Sequence, residues 1–245
     1  MKMKINKLKI VMTLIISVIT VNAFAQEENP DYTQEFQGRA YVSIKKSFLD
    51  KSLNVELSPE VRFGNDFNYN KTLIKLNVDY DILNWFNVGV GGRAVFNKTN
   101  IRDKEGVENN KTEITGRYDF DISKKFKLGK FKLKPRIRYS NYDDYEIFDD
   151  YNKKGALKEN DNSDFLRYKV SLTYKFAKKA IFEPEVGVEL FHKLETNKIS
   201  SIRYNFGGDF RLSKHSAIGV NYLVESEFKI RELTHIAEVG YKYKF

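Results

Sequence analysis

The sequence predicts an all-β protein, an antiparallel transmembrane β-barrel of 10 to 12 strands, and three observations carry that prediction. From residue 35 onward, eleven segments of about nine to fifteen residues alternate apolar and polar side chains. That period of two belongs to a strand with two unlike faces. After residue 25 no segment approaches eighteen consecutive apolar residues, so the chain offers no transmembrane helix beyond its leader. Finally, residues 235–245 place Ala237, Val239, Tyr241, Tyr243 and Phe245 on one face and Glu238, Gly240, Lys242 and Lys244 on the other. Such a strand needs lipid on one side and water on the other.

Residues 1–25 read as a cleavable export signal. Lys2, Lys4, Lys7 and Lys9 form a positive start, residues 10–21 an apolar core, and Ala23-Phe24-Ala25 a small-x-small cleavage site. Twelve apolar residues are too few to cross a bilayer as a helix. The remaining chain, 26–245, carries 38 basic and 33 acidic side chains, a net +5. Its basic residues are spread over many strands instead of clustering, which argues against a nucleic-acid partner. With no cysteine there is no disulfide framework and no thiol chemistry.

The strands follow in order. Residues 39–45 set Ala40, Val42 and Ile44 outward, and residues 53–63 set Leu53, Val55, Leu57, Pro59, Val61 and Phe63 outward. Pro59 cannot donate to a ladder and marks a local break, as do Pro135 and Pro184 on the same kind of face. Residues 71–81 turn Ile74, Leu76, Val78 and Tyr80 outward, and residues 86–97 turn Phe86, Val88, Val90, Ala94 and Phe96 outward. Residues 112–122, 131–140, 165–176, 181–194, 199–212 and 217–228 continue the pattern into the terminal strand.

Connections sort by parity into short turns (49–51, 83–85, 123–129, 177–180, 213–216) and longer polar loops (64–70, 98–111, 141–164). Short turns at one end and long loops at the other are the asymmetry of a membrane barrel. An odd number of strands cannot close with every neighbour antiparallel. Either residues 31–37 add a strand, giving twelve, or the first run is no wall strand, giving ten; twelve is preferred. Phe86, Phe131, Phe165, Phe176, Phe182, Tyr222, Phe228, Tyr241 and Tyr243 lie near the ends of apolar faces, where membrane-interface aromatics sit. A soluble lipocalin-like or sandwich fold would also alternate, but with strands nearer five or six residues.

The ending Tyr-Lys-Tyr-Lys-Phe resembles the carboxyl-terminal signature of bacterial outer-membrane barrels. That resemblance makes Tyr241, Tyr243 and Phe245 an assembly signal read by the barrel assembly machinery. The chain also resembles an uncharacterised domain-of-unknown-function family of small outer-membrane barrels from Bacteroidetes-type bacteria. The matching pieces are the run from Tyr41 through Leu53-Asn-Val-Glu-Leu-Ser-Pro-Glu-Val-Arg-Phe63, Asn87-Val-Gly-Val-Gly-Gly-Arg93 and Leu166-Arg-Tyr-Lys-Val-Ser-Leu-Thr-Tyr174. Further matches are Glu183-Pro-Glu-Val-Gly-Val-Glu-Leu-Phe191, Ile202-Arg-Tyr-Asn-Phe-Gly-Gly208 and Val239-Gly-Tyr-Lys-Tyr-Lys-Phe245. The segment 141–164 is longer than in that family. The resemblance implies an outer-membrane location and surrounding lipid, and no activity.

Three groups of residues could carry function. The inward face is polar and nearly balanced, but uneven. Lys132, Lys134, Arg136, Arg138, Arg167, Lys169 and Lys175 make a basic wall, with Glu183, Glu185 and Glu189 as an acidic strip beside it. Rows of like charge set ion selectivity, so this wall suits a porin-like channel for small, anionic solutes. The same residues also suit a salt-bridged structural interior. A second group is His192 with Ser200, which a hairpin centred near Thr196 would oppose on the lipid face. A lipid hydrolase of the phospholipase or lipid A deacylase type would use such a pair as base and nucleophile. Third, Asp143, Asp144, Glu146, Asp149, Asp150, Glu159, Asp161 and Asp164 offer oxygen ligands, but at no EF-hand spacing. A solvated loop accounts for them. His215 and His235 are too scattered for a metal site, no cofactor motif is present, and a non-enzymatic barrel is the favoured reading.

Overall fold

A computed structural model describes residues 33–245 apart from 51, 65–67, 84, 103–107, 147–162 and 177–179. The leader, residues 1–25, and much of the long acidic segment therefore lie outside the described residues. In chain order the strands are β1 (Thr33–Phe48), β2 (Leu53–Phe63), β3 (Tyr69–Leu83), β4 (Phe86–Arg102), β5 (Glu108–Lys124) and β6 (Phe126–Leu128). Then come β7 (Phe131–Glu146), β8 (Asp164–Tyr174), β9 (Phe182–Lys193), β10 (Lys198–Arg211), β11 (Ser216–Glu227) and β12 (Glu232–Lys244).

These strands form one sheet in the order β5-β4-β3-β2-β1-β12-β11-β10-β9-β8-β7, and β5 pairs with β7 to close it. Eleven long strands make the wall, and β6 only extends the turn end of β7. The range of 10 to 12 strands holds, but the parity argument for an even number does not. Closure at eleven is achieved by one parallel pair, β1 with β12, in register from Thr33↔Glu232 to Lys45↔Lys244. Residues 33–37 lengthen β1 instead of adding a strand.

One consequence is geometric. The five connections between β2 and β3, β4 and β5, β7 and β8, β9 and β10, and β11 and β12 share one end with the start of β1; we call it the loop end. The other end holds the tight turns and the carboxyl terminus. Left-handed residues there and elsewhere make the corners: Leu49 and Asp50 between β1 and β2, and Gly129 between β6 and β7.

Some connections are shorter than the sequence suggests. Residues 98–111 were expected as a loop, yet β4 runs to Arg102 and β5 starts at Glu108, with the ladder continuing through Arg102↔Glu108. Backbone pairing needs no apolar face, so a hairpin can project beyond the half-apolar band. For the same reason β7 runs to Glu146, into the segment expected as loop 141–164. The expected turn 123–129 contains β6. Pro59 does mark a break: pairing of β2 with β1 lapses between Tyr41↔Glu60 and Ile44↔Leu57, while β3 stays paired through Pro59↔Ile74.

The distribution of side chains is the reverse of a soluble protein's. Val42, Ile44, Leu57, Ile74, Leu76, Val78, Val90, Ile122, Ile137, Val186, Val220 and Val239 are exposed on the outer face. Among the described residues eighteen polar or charged side chains are buried against five apolar ones, so the interior is the polar side. Aromatic rings collect at the two ends of the outer face. At the turn end Phe131 packs on Tyr174 (4.9 Å), Phe182 on Phe210 (4.4 Å) and Tyr243 on Phe245 (5.0 Å). Toward the loop end Tyr222 and Phe36 stack on His235, and Tyr168 on His192. Phe165 is an exception to the expected outward set: alternation puts it with Arg167 on the lumen side.

Candidate functional site in the lumen

A cavity of about 540 Å³ fills the middle of the barrel. A second, of about 290 Å³, lies at the turn end and shares Glu56, Asp209 and Lys242 with the first, so the two adjoin. On each wall strand one lining residue lies nearest the loop end. On eight of the eleven strands that residue is a cation: Arg39, Arg62, Lys75, Arg93, Arg117, Arg138, Arg167 and Arg203, on β1, β2, β3, β4, β5, β7, β8 and β10. The lumen thus carries a belt of basic side chains around most of its circumference.

Above the belt the next inward residues on six strands are small or apolar. Leu73, Val95, Thr115, Ser140, Phe191 and Ile236 are each 4 % exposed or less, and none lines the cavity. They form a partial collar on six of the eleven strands, on the loop-end side of the belt. Phe191 joins the two layers, its ring flanked by the guanidinium groups of Arg167 (4.6 Å) and Arg203 (4.7 Å). Cation–π contact of this kind holds an aromatic in place within a charged interior.

The belt is partly neutralised by acids behind and between its members. Glu60 bonds Arg62 (2.6 Å) and Lys75; Asp119 bonds Arg93 and, at 3.5 Å, Arg138. Asp121 bonds Arg138 at 2.6 Å. Glu189 is the hub of the other side, reached by Arg136 (2.8 Å), Arg167 (3.0 Å) and Arg203 (3.9 Å), with Arg203 also on Glu225 (2.5 Å). Even so, register opposes Arg39 to Arg62, Lys75 to Arg93, Arg93 to Arg117, Arg136 to Lys169 and Arg138 to Arg167. Like charges directly opposite are destabilising, and the carboxylates of Glu60, Asp119, Asp121 and Glu189 offset these pairs.

The expected basic wall is present, with one correction. Lys132, Lys134, Arg136 and Arg138 alternate on β7 and share the lumen side, and Arg167 and Lys169 stand beside them on β8. Lys175 lies past the end of β8, half-exposed, 3.5 Å from Glu183. Its strand ends at Tyr174, so it belongs to the rim. The acidic strip on β9 is real but unequal. Glu189 is buried in the hub, Glu185 accepts a bond from Thr173 (3.1 Å), and Glu183 serves Arg211 (2.8 Å) and Lys175 at the rim. Further acids, Asp119 and Asp121, flank the wall on β5, which pairs with β7 across the short turn that joins them.

His192 and Ser200 share one hairpin, but the expected opposition fails. Ile199 is the partner of His192, and a register shift between Ile199 and Ser201 leaves Ser200 in a bulge. The imidazole Nε2 meets Asn197 Oδ1 at 2.9 Å, and the Ser200 hydroxyl donates to the Phe191 carbonyl at 3.1 Å. The terminal aromatics Tyr241 and Phe245 are exposed on the outer face, and the Phe245 amide donates to the Lys45 carbonyl (3.0 Å) across the parallel seam. Asp164 accepts a bond from Asn141 (2.9 Å) where β8 begins; residues 147–162 of the acidic segment lie outside the described residues. Among the described residues no group of His, Asp and Glu could hold a metal ion. No described helix is long and apolar enough to cross a membrane.

The collar was the part of the site missed from sequence. Its signal is an apolar residue on the charged face near the loop end of a strand: Leu73 after Lys71, Val95 after Arg93, Phe191 after Glu189 and Ile236 before Glu238.

Fold and site together define a closed β-barrel with an apolar exterior and a charged, basic-belted lumen. The chain belongs to the family described as "Protein of unknown function (DUF2490)", whose model matches residues 39–232. No curated protein matches it. Among solved structures it is similar to OmpT of Vibrio cholerae, expressed in the outer membrane, at 14 % identity over 72 % of this chain and 54 % of that one, with a TM-score of 0.38. It thus spans about half the length of that protein. It is also similar to the β domain of the Bordetella autotransporter BrkA, at 11 % identity over 80 % of this chain and 83 % of that one, with a TM-score of 0.44.

Proposed function

We propose that this protein is an outer-membrane β-barrel whose lumen admits small anionic solutes. The observation that carries the reading is the basic belt, a cation on eight of eleven strands at the inner end of one cavity. Side chains crowded this way raise the local concentration of anions and repel cations. The membrane placement is supported by the outer face, where exposed aliphatic side chains lie between two sets of aromatic rings. An apolar surface of that extent is unstable in water and suits lipid, with aromatics at the two interfaces.

The adjoining cavities favour entry from the turn end, and the collar is the constriction a solute must pass to cross completely. A carboxyl terminus on the periplasmic side, usual for barrels of this kind, would make the periplasm the open side. The export signal, the lipid surroundings and recognition of Tyr241, Tyr243 and Phe245 by the assembly machinery complete the reading. A lipid hydrolase acting through His192 and Ser200 is less well supported, since each side chain engages another partner. Fractionation of intact cells tests the placement: recovery with outer membranes, and heat-modifiable migration on a gel, is the expected result. Recovery of the folded protein among soluble periplasmic proteins would overturn it.

A further inference from the structure

We infer that Arg39, at the meeting of β1 and β2, is the anchor of an oxyanion-binding site in the lumen, completed by Arg62 and Arg203. This rests on the reading of the lumen as anion-admitting and names where the anion is held. The ligand class is a small solute carrying a phosphate or carboxylate group.

Arg39 differs from the other members of the belt. Arg62, its direct cross-strand partner, is bonded to Glu60, and Arg203 is bonded to Glu225 and lies within 3.9 Å of Glu189. Arg39 donates from Nε to the amide oxygen of Gln37 (2.7 Å), and no carboxylate of the described residues lies within ion-pair distance of it. Its charged surroundings are Arg62 and Arg203 on one side of the balance, and Glu60 and Glu238 on the other. All five residues line the same cavity. Register sets Arg39 between Arg62 on β2 and Glu238 on β12, whose carboxylate accepts from Asn221 (3.0 Å), while Arg203 faces the same cavity from β10; of the three guanidinium groups only that of Arg39 makes no ion pair among the described residues.

The chemistry follows from the shape of the side chain. With Nε engaged by Gln37, the plane of the Arg39 guanidinium is fixed while its terminal N–H groups remain for the cavity. A planar fork matches two oxygens of a phosphate or carboxylate in a bidentate way, which a lysine ammonium cannot reproduce. Arg62 and Arg203 supply flanking charge while staying bonded to their own carboxylates. A bound oxyanion would also relieve the opposed Arg39–Arg62 pair, so occupancy and stability are linked.

The test is a titration of the purified, detergent-solubilised barrel with inorganic phosphate and, separately, with acetate, at constant ionic strength set by chloride. Unfolding temperature and calorimetric heat are the readouts. The expected result is saturable stabilisation by at least one of the two oxyanions over the chloride baseline; the arm that saturates at lower concentration identifies the phosphate or the carboxylate as the preferred group. Arg39→Gln should weaken that binding by about ten- to a hundredfold, the loss of a charge-assisted bidentate contact. Arg39→Lys, which keeps the charge and loses the fork, should recover only part of it. Lys127→Gln, a charge removed from the exposed β6, should leave it unchanged. Absence of any saturable effect, or equal binding by wild type and both Arg39 variants, would overturn the site. Because the titration needs neither a membrane nor a current, binding without conduction would keep the site and count against passage. Conduction without binding would do the reverse.

Discussion

The ring of Tyr41 on β1 lies across Gly240 on β12, its register partner at the parallel seam, and its hydroxyl reaches over Gly219 on β11. A methyl group at Gly240 would fall within the space of that ring. Glycine is required there because only a bare backbone lets the aromatic cover the place where the barrel closes. Gly240→Ala should therefore lower stability by about 1–3 kcal/mol, the usual effect of overpacking. The midpoint of denaturant unfolding measures this. Combining it with Tyr41→Ala should return part of the loss, because the two changes act on one contact. Additive losses would mean that ring and glycine are independent.

Glu189 gathers Arg136, Arg167 and Arg203 from three strands while itself buried. Removing one member of a buried ion pair leaves uncompensated charge, a loss of about 3–5 kcal/mol. Glu189→Gln should show a loss of that order in unfolding, and adding Arg167→Gln should reduce it. If Glu189→Gln unfolds like the wild type, the hub is solvated and the basic wall is not held by it.

Phe245 is exposed beside Tyr243 at the end of the last strand, and its amide bonds across the seam to Lys45. Deleting it should lower the amount of heat-modifiable barrel recovered from outer membranes, with any folded fraction keeping wild-type unfolding. Undiminished recovery would show that the terminal aromatic is dispensable for assembly.

Much of the fold was legible because alternation is local. The faces of Val42, Ile44, Leu76, Val78, Val220 and Val239 follow from a period of two and agree with their exposure, and the inward row Lys132, Lys134, Arg136 and Arg138 follows from the same period, with Lys132, Arg136 and Arg138 lining the cavity. What alternation cannot give is anything that depends on partners far along the chain. The parallel pairing of β1 with β12 is a closure property, and residues 33–48 read the same whether the neighbour runs up or down. Height in the barrel is also invisible. Arg39, Arg93 and Arg203 stand in one belt only because the registers of separate hairpins align them, while Leu73 and Val95 are a collar only once that belt is placed below them. The Ser200 bulge shows the same limit at short range, since one inserted residue moved the hydroxyl away from the position that spacing gave it.

The central claim is that the lumen prefers anions, and the most direct measurement is the reversal potential in a potassium chloride gradient across a planar bilayer holding the purified protein. Wild type and Phe191→Ala should be recorded side by side, because the alanine removes the ring that joins the collar to Arg167 and Arg203. The expected result is larger conductance in Phe191→Ala, with the reversal potential on the chloride side in both proteins, shifting toward potassium when Arg136 and Arg138 are replaced by Glu. A reversal potential at zero or on the potassium side before that replacement, or no current from either protein, would contradict it.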